Sequence, residues 1–115
     1  MKVKHATEVP TQDVEVEGAT GVKIQWLVAQ DDAPETFYMR LFQLEPDGHT
    51  PLHGHPWEHE VFVLEGEGSV VTPAGELPLK PHSVVYVPAT EEHQFKNSGS
   101  KPLKFICLVP KSATY

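Results

Sequence analysis

A chain of 115 residues has room for one core of ordinary size, and one domain spanning residues 1–115 is expected. Hydrophobic residues make up 39% and charged residues 22%, close to folded soluble proteins and far from disordered ones. The formal net charge of −7 leaves no basic surface for phosphates, which excludes nucleic acid and anionic membrane as expected partners.

The first ten residues are polar, with two lysines and no apolar stretch, and the longest purely apolar run is Phe105 to Val109. Neither a signal peptide nor a membrane span is expected. Cys107 is the single cysteine and has no internal disulfide partner, which fits a reducing cytoplasm.

Eleven prolines and eight glycines interrupt the chain every few residues, and no window carries a helical repeat of apolar positions. The expected class is all-β. The first predicted strand, Gly21 to Val28, alternates cleanly: Val22, Ile24 and Trp26 face the core, and Lys23 and Gln25 face water. A polar hairpin loop, Gln30 to Glu35, leads to Phe37 to Leu44. On that strand Arg40 is the one cation, with two open readings, a solvated outward side chain or an anchor for a substrate carboxylate. Pro51 to His55 is the next predicted strand. In His59 to Leu64 both faces are apolar beyond Glu60, so a second buried surface is expected, and a homodimer interface accounts for it better than another layer of the same chain. Gly68 to Thr72, Glu76 to Leu79, Ser83 to Val87, His93 to Lys96 and Pro102 to Val109 complete the set. Many short strands at this spacing predict a sandwich or barrel.

Four of the seven histidines, His49, His53, His55 and His59, fall within eleven residues. In an extended segment residues i and i+2 share a face, so His53 and His55 aim into one space. His59 shares parity with Val61 and Val63. His93 shares parity with Phe95, against the polar Gln94 and Lys96. Four imidazoles are therefore expected to converge on one divalent transition metal, with manganese, iron, cobalt, nickel, copper and zinc all suited to the donor set. Glu60 replaces His59 as a ligand if the strand slips by one residue. His5, His49 and His82 are read as ordinary surface or core histidines, and Trp57 and Tyr86 as packing residues.

These residues carry a resemblance. His53-Gly54-His55, His59 and Gly66 match the first motif of the cupin superfamily, G-x5-H-x-H-x(3,4)-E-x6-G. The departures are Gly48, one residue too near, and His59, which stands at the usual glutamate. Pro88, His93 and Asn97 match the second motif, G-x5-P-x-G-x2-H-x3-N, with His82 and Thr90 at its two glycine positions. The segments His55 to His59, Val63 to Gly66 and Phe105 to Pro110 are similar to the small four-histidine manganese cupins of bacteria and archaea. The resemblance implies a jelly-roll barrel, or double-stranded β-helix, that is homodimeric. It also implies an octahedral metal with two open cis positions, and chemistry with dioxygen.

Phe95, Phe105 and Cys107, together with Arg40, are the expected pocket residues beside the metal, and a pocket so built is mostly apolar. No catalytic proton-transfer residue stands out. The leading expectation is a metal-dependent oxygenase of dioxygenase type acting on a small, apolar organic molecule. The alternatives are a non-redox metal isomerase or hydrolase, and a small-ligand binding module without turnover.

Overall fold

The structure is a computed structural model that describes residues 1–113. It contains nine strands: β1 (Gln12–Asp13), β2 (Thr20–Val28), β3 (Phe37–His49), β4 (His59–Glu65), β5 (Gly68–Thr72), β6 (Gly75–Leu79), β7 (Val84–Val87), β8 (Gln94–Lys96) and β9 (Leu103–Pro110). They form one curled sheet in the order β6-β5-β8-β3-β9-β4-β7, with β2 on β3 and β1 on β2. Helical structure among the described residues is limited to two short 3-10 turns, Ala6–Glu8 and Gln30–Asp32. Among the described residues no helix is long and apolar enough to cross a membrane. The expected all-β jelly-roll class agrees with this architecture.

The interior is built rung by rung. Every pairing is antiparallel, and directly paired residues share a face. Trp26 pairs with Arg40, Arg40 with Cys107 and Cys107 with Val61. The neighbouring rung runs Ile24, Phe42, Phe105, Val63. Below it, Val22 pairs with Leu44 and Leu44 with Leu103, closing the base. Strand β9 is buried at every second residue from Leu103 to Val109, the pattern of a strand with one face on the core. Phe105 stacks between Phe42 and Phe95, with ring centroids 5.4 and 4.8 Å away, and fills the centre. Asn97 is buried and satisfied: its amide donates to the Leu44 and Lys101 carbonyls at 2.9 and 2.8 Å, and its oxygen accepts from the Gly99 N–H.

Several expectations are corrected. Pro51 to His55 is not a strand; the only ladder contact there is an isolated bridge between His53 and His93. Pro51 and Pro56 lack N–H donors and Gly54 is conformationally loose, so the segment runs extended without a continuous ladder. Strand β3 continues past Leu44 to His49, with a register shift against β2 that is accommodated by the left-handed Asp47 (φ 67°). Tyr86 is not a core packing residue. It lies on the outer face of β7, 58% exposed, and donates to Glu58 Oε2. The outer face of β4 and β7, with Phe62, Leu64, Val84 and Tyr86 exposed, is not covered by another layer of the described chain.

The two motif positions that depart from glycine keep the backbone that glycine favours. His82 and Thr90 have φ of 74° and 69°. The His82 N–H donates to the Val63 carbonyl and the Thr90 N–H to the His55 carbonyl at 2.7 Å, which over-determines both conformations. A non-glycine residue in this region costs about 1–2 kcal/mol, and glycine returns about 0.5–1 kcal/mol of that as chain entropy. Thr90→Gly and His82→Gly are each expected to raise stability by up to about 1 kcal/mol, with the larger gain at the β-branched Thr90. Urea titration measures it, as a higher midpoint at unchanged slope.

Candidate metal centre

Three separate pieces of chain deliver the four histidines. His53 and His55 lie on the extended segment between β3 and β4, His59 opens β4, and His93 immediately precedes β8. Reciprocal backbone bonds, His53 N–H to the His93 carbonyl at 3.1 Å and His93 N–H to the His53 carbonyl at 2.9 Å, place those two side by side. Their ring centroids are 5.1 Å apart, and His55, two residues on, is 5.0 Å from His53 and 5.1 Å from His93. One nitrogen from each of His53, His55 and His93 lies within 4.8 Å of the other two. His59 adjoins this group: its Nε2 is 2.9 Å from His55 Nε2, and its ring centroid is 5.5 Å from that of His93. Glu60 points away, exposed and paired across from Tyr86 and Leu108, so the side that His59 faces is the one its parity predicts.

The nitrogens turned outward are held by the protein. His55 Nδ1–H donates to the Trp57 carbonyl at 2.9 Å and His93 Nδ1–H to the Glu91 carbonyl at 2.8 Å. A carbonyl only accepts, so these bonds place the proton on Nδ1 and leave the Nε2 lone pair facing the cluster. His59 Nδ1 lies 3.3 Å from the Leu108 carbonyl and 3.4 Å from Arg40 Nη2. The indole of Trp57 stacks on His55, with centroids 4.5 Å apart and planes 12° from parallel, and clamps that ring from outside.

Desolvation, with help from neighbouring imidazoles and the Arg40 charge, lowers the pKa of His53 below the ordinary histidine value. Desolvation likewise lowers His55, against its bond to Trp57, and takes His59 down to about 3. His53, His55 and His59 are thus biased toward the neutral form that can donate, and the cluster of His53, His55 and His93 is compatible with a divalent metal ion.

The cluster closes one end of a cavity of about 280 Å³ that includes Arg40, Phe95, Phe105 and Cys107, the four expected pocket residues, in its wall. Arg40 is buried and faces inward, which rules out the solvated outward reading. Burial raises the Cys107 thiol pKa, against the opposing effect of the Arg40 charge. Phe42, Trp26 and the N-terminal Val14 and Val16 also line the cavity. Phe42 was legible from its shared parity with Arg40; the contribution of Val14 and Val16 depends on where the segment before β2 folds back, for which no local pattern exists. His49, half-buried beside Gln94, and the exposed His82, stacked on Phe62, stand outside the cluster, as does His5, which caps the first 3-10 turn.

A model of the cupin domain matches residues 40–109, more than half of the chain. The chain belongs to the cupin family. Among solved structures it is similar to the polyketide cyclase RemF from Streptomyces resistomycificus, with 31% identity, 96% of this chain and 79% of that one covered, and a TM-score of 0.89. A sugar phosphate isomerase from the cupin superfamily of Silicibacter pomeroyi shares the fold at 22% identity, covering 96% of this chain and 76% of that one, with a TM-score of 0.83. Among curated proteins, 1-methylthio-D-xylulose 5-phosphate methylsulfurylase from Rhodospirillum rubrum is 31% identical over 62% of this cupin. This cupin spans 46% of that relative's length.

The low pKa of His59 has a consequence for stability. Its folded value, about 3, lies below the unfolded value of 6.5, so between these limits the unfolded chain binds the extra proton. The stability associated with neutral His59 is complete above pH 6.5 and is lost as pH falls toward 3. His59→Gln is expected to flatten the acid-side loss of the metal-free protein by up to about 1.4 kcal/mol per pH unit. Urea unfolding of both proteins between pH 7 and 4.5 checks this; parallel curves would show that His59 is not the group responsible.

Proposed function

We propose that this cupin holds one divalent transition-metal ion through His53, His55, His59 and His93 and acts as a metal-dependent oxygenase on a small, apolar organic substrate. The observation that carries the reading is the gathering of four imidazoles, three of which, His53, His59 and His93, line an aromatic-walled cavity. The closeness of these nitrogens suits one divalent ion, with manganese, iron, cobalt, nickel, copper and zinc all matched to imidazole donors.

When bound, such an ion supplies Lewis acidity and, for manganese, iron or copper, reaction with dioxygen. The residues of the chain do the remainder. The carbonyls of Trp57 and Glu91 fix the tautomers of His55 and His93. Phe42, Phe95 and Phe105 exclude water and take up the body of the substrate. No Asp, Glu or Lys lines the cavity among the described residues, so no carboxylate or amine stands ready to shuttle protons, which favours oxygenation over proton-transfer chemistry. The likeness to a polyketide cyclase favours a second reading, in which the ion polarises a substrate carbonyl without redox change.

Protein purified without a histidine tag is expected to contain about one manganese or iron per chain by elemental analysis, and alanine at any of the four histidines to cut that content sharply. The manganese or iron form is expected to consume oxygen with apolar alkenes, diketones or phenols. Turnover that proceeds without oxygen would select the second reading, and a metal-free protein in every preparation would end both.

The oxygenase reading is joined to a homodimer formed through the outer face of β4 and β7, where Phe62, Leu64, Val84 and Tyr86 form a contiguous apolar patch. Light scattering at micromolar concentration is expected to give twice the chain mass, and Val84→Glu, at a site 76% exposed, to give the monomer. A monomeric mass for the unaltered protein would refute the dimer.

A further inference from the structure

Each ring nitrogen of His59 faces neighbours whose hydrogen-bonding character is fixed. On one side Nε2 lies 2.9 Å from His55 Nε2. His55 carries its proton on Nδ1, where the Trp57 carbonyl accepts it, so its Nε2 presents a lone pair. On the other side Nδ1 of His59 has two neighbours of opposite kind. Arg40 Nη2, at 3.4 Å, can only donate, and the Leu108 carbonyl, at 3.3 Å, can only accept. His59 and Arg40 are 5% and 4% exposed, so bulk water does not relieve a mismatched pair between them.

A neutral imidazole has one proton to place. With the proton on Nε2, His59 donates to His55 across 2.9 Å, an ordinary hydrogen-bond length, and Nδ1 accepts from Arg40. With the proton on Nδ1, His59 donates to Leu108 across the longer 3.3 Å, two lone pairs meet across 2.9 Å, and an N–H of Arg40 confronts the N–H of the ring. The first placement satisfies both nitrogens; the second opposes like groups on both sides.

We propose that in the metal-free protein the proton of His59 sits on Nε2, bonded to His55 and supported by donation from Arg40 to Nδ1, so that one proton keeps the cluster gathered until the site is filled. A nitrogen that carries a proton has no lone pair for a metal. Occupation of the site through His59 Nε2 therefore requires the Nε2–H bond to break and an Nδ1–H bond to form, with the Leu108 carbonyl as acceptor. One proton leaves the ring and one joins it, and the imidazole is neutral before and after. His55 and His93 need no such change, because their protons already sit on Nδ1. The placement of the proton stands on the chain alone, and only its relocation rests on the four-histidine reading.

The test is nitrogen NMR of the full chain with isotope-labelled histidine at neutral pH, first stripped of metal by a chelator and then given one equivalent of zinc, which is diamagnetic. The loss of signals in His59→Gln assigns the ring. In the metal-free protein Nε2 of His59 is expected to resonate as a protonated nitrogen and Nδ1 as an unprotonated one, with a nitrogen–nitrogen coupling to His55 Nε2 across the shared proton. Zinc is expected to reverse the two shifts and abolish the coupling, while His55 and His93 keep a protonated Nδ1 throughout. A proton on Nδ1 of His59 before zinc is added, equal populations of the two forms, or both nitrogens protonated would overturn the proposal. Zinc that moves the signals of His53, His55 and His93 and leaves the proton on His59 Nε2 would overturn the relocation and give a three-histidine site. No response to zinc at any histidine would end the metal reading, and a proton on Nε2 in the same spectra would still sustain its placement.

Discussion

Two backbone hydrogen bonds between His53 and His93 join stretches of chain that lie forty positions apart, and the site depends on that junction. One stretch leaves the long strand β3 and carries His53 and His55; the other leads into β8 and carries His93. Neither is regular strand at that point, and the bridge extends the pairing set just before it by His49 with Lys96 and by the Thr50 N–H bond to the Phe95 carbonyl. The Thr90 N–H bond to the His55 carbonyl, two residues along, stops the segment from pivoting about the bridge. Close-packed interiors convert such local constraints into defined side-chain positions, which is how a segment with two prolines and a glycine can present two imidazoles to a common centre.

Parity made most of the interior readable. Wherever a strand alternates, as in Val22, Ile24, Trp26 or in the buried series of β9, the inward residues follow from the sequence, and His59 is placed by its step from Val61 and Val63. Parity failed at Pro51 to His55, where the alternation of histidines imitates a strand although the backbone has few partners for a ladder. It also misjudged Tyr86, because an aromatic residue in an apolar strand reads as core until the two faces are told apart. Arg40 could not be assigned from β3 alone, where both faces are largely apolar; its inward direction came from pairing with Trp26 and Cys107, a non-local fact.

The family motifs divide by what they supply. Gly66 is required sterically: a Cβ there would fall 2.3 Å from the Pro102 carbonyl oxygen, on a backbone with φ of 88°. Asn97 supplies two hydrogen bonds that close the turn between β8 and β9 and a third that ties it to Leu44 on β3. At His82 and Thr90 the backbone shape is preserved although glycine is gone, which places the constraint in the loop's path and not in the residue. The substitution of His59 for the usual glutamate is different in kind, since it alters charge: an imidazole stands where a carboxylate would cancel one unit of a divalent ion's charge.

The stacking of Trp57 on His55 gives the centre an optical handle. The chain has two tryptophans, one in face-to-face contact with an imidazole of the cluster and the other, Trp26, in the cavity wall. Both indoles therefore adjoin the cluster or its cavity, with no third indole to dilute the signal. Paramagnetic ions quench indole emission at short range, so manganese or copper bound beside His55 would dim Trp57, while diamagnetic zinc at the same nitrogens would leave its intensity nearly intact. The fluorescence of the unlabelled chain thus distinguishes occupancy by open-shell and closed-shell ions in solution.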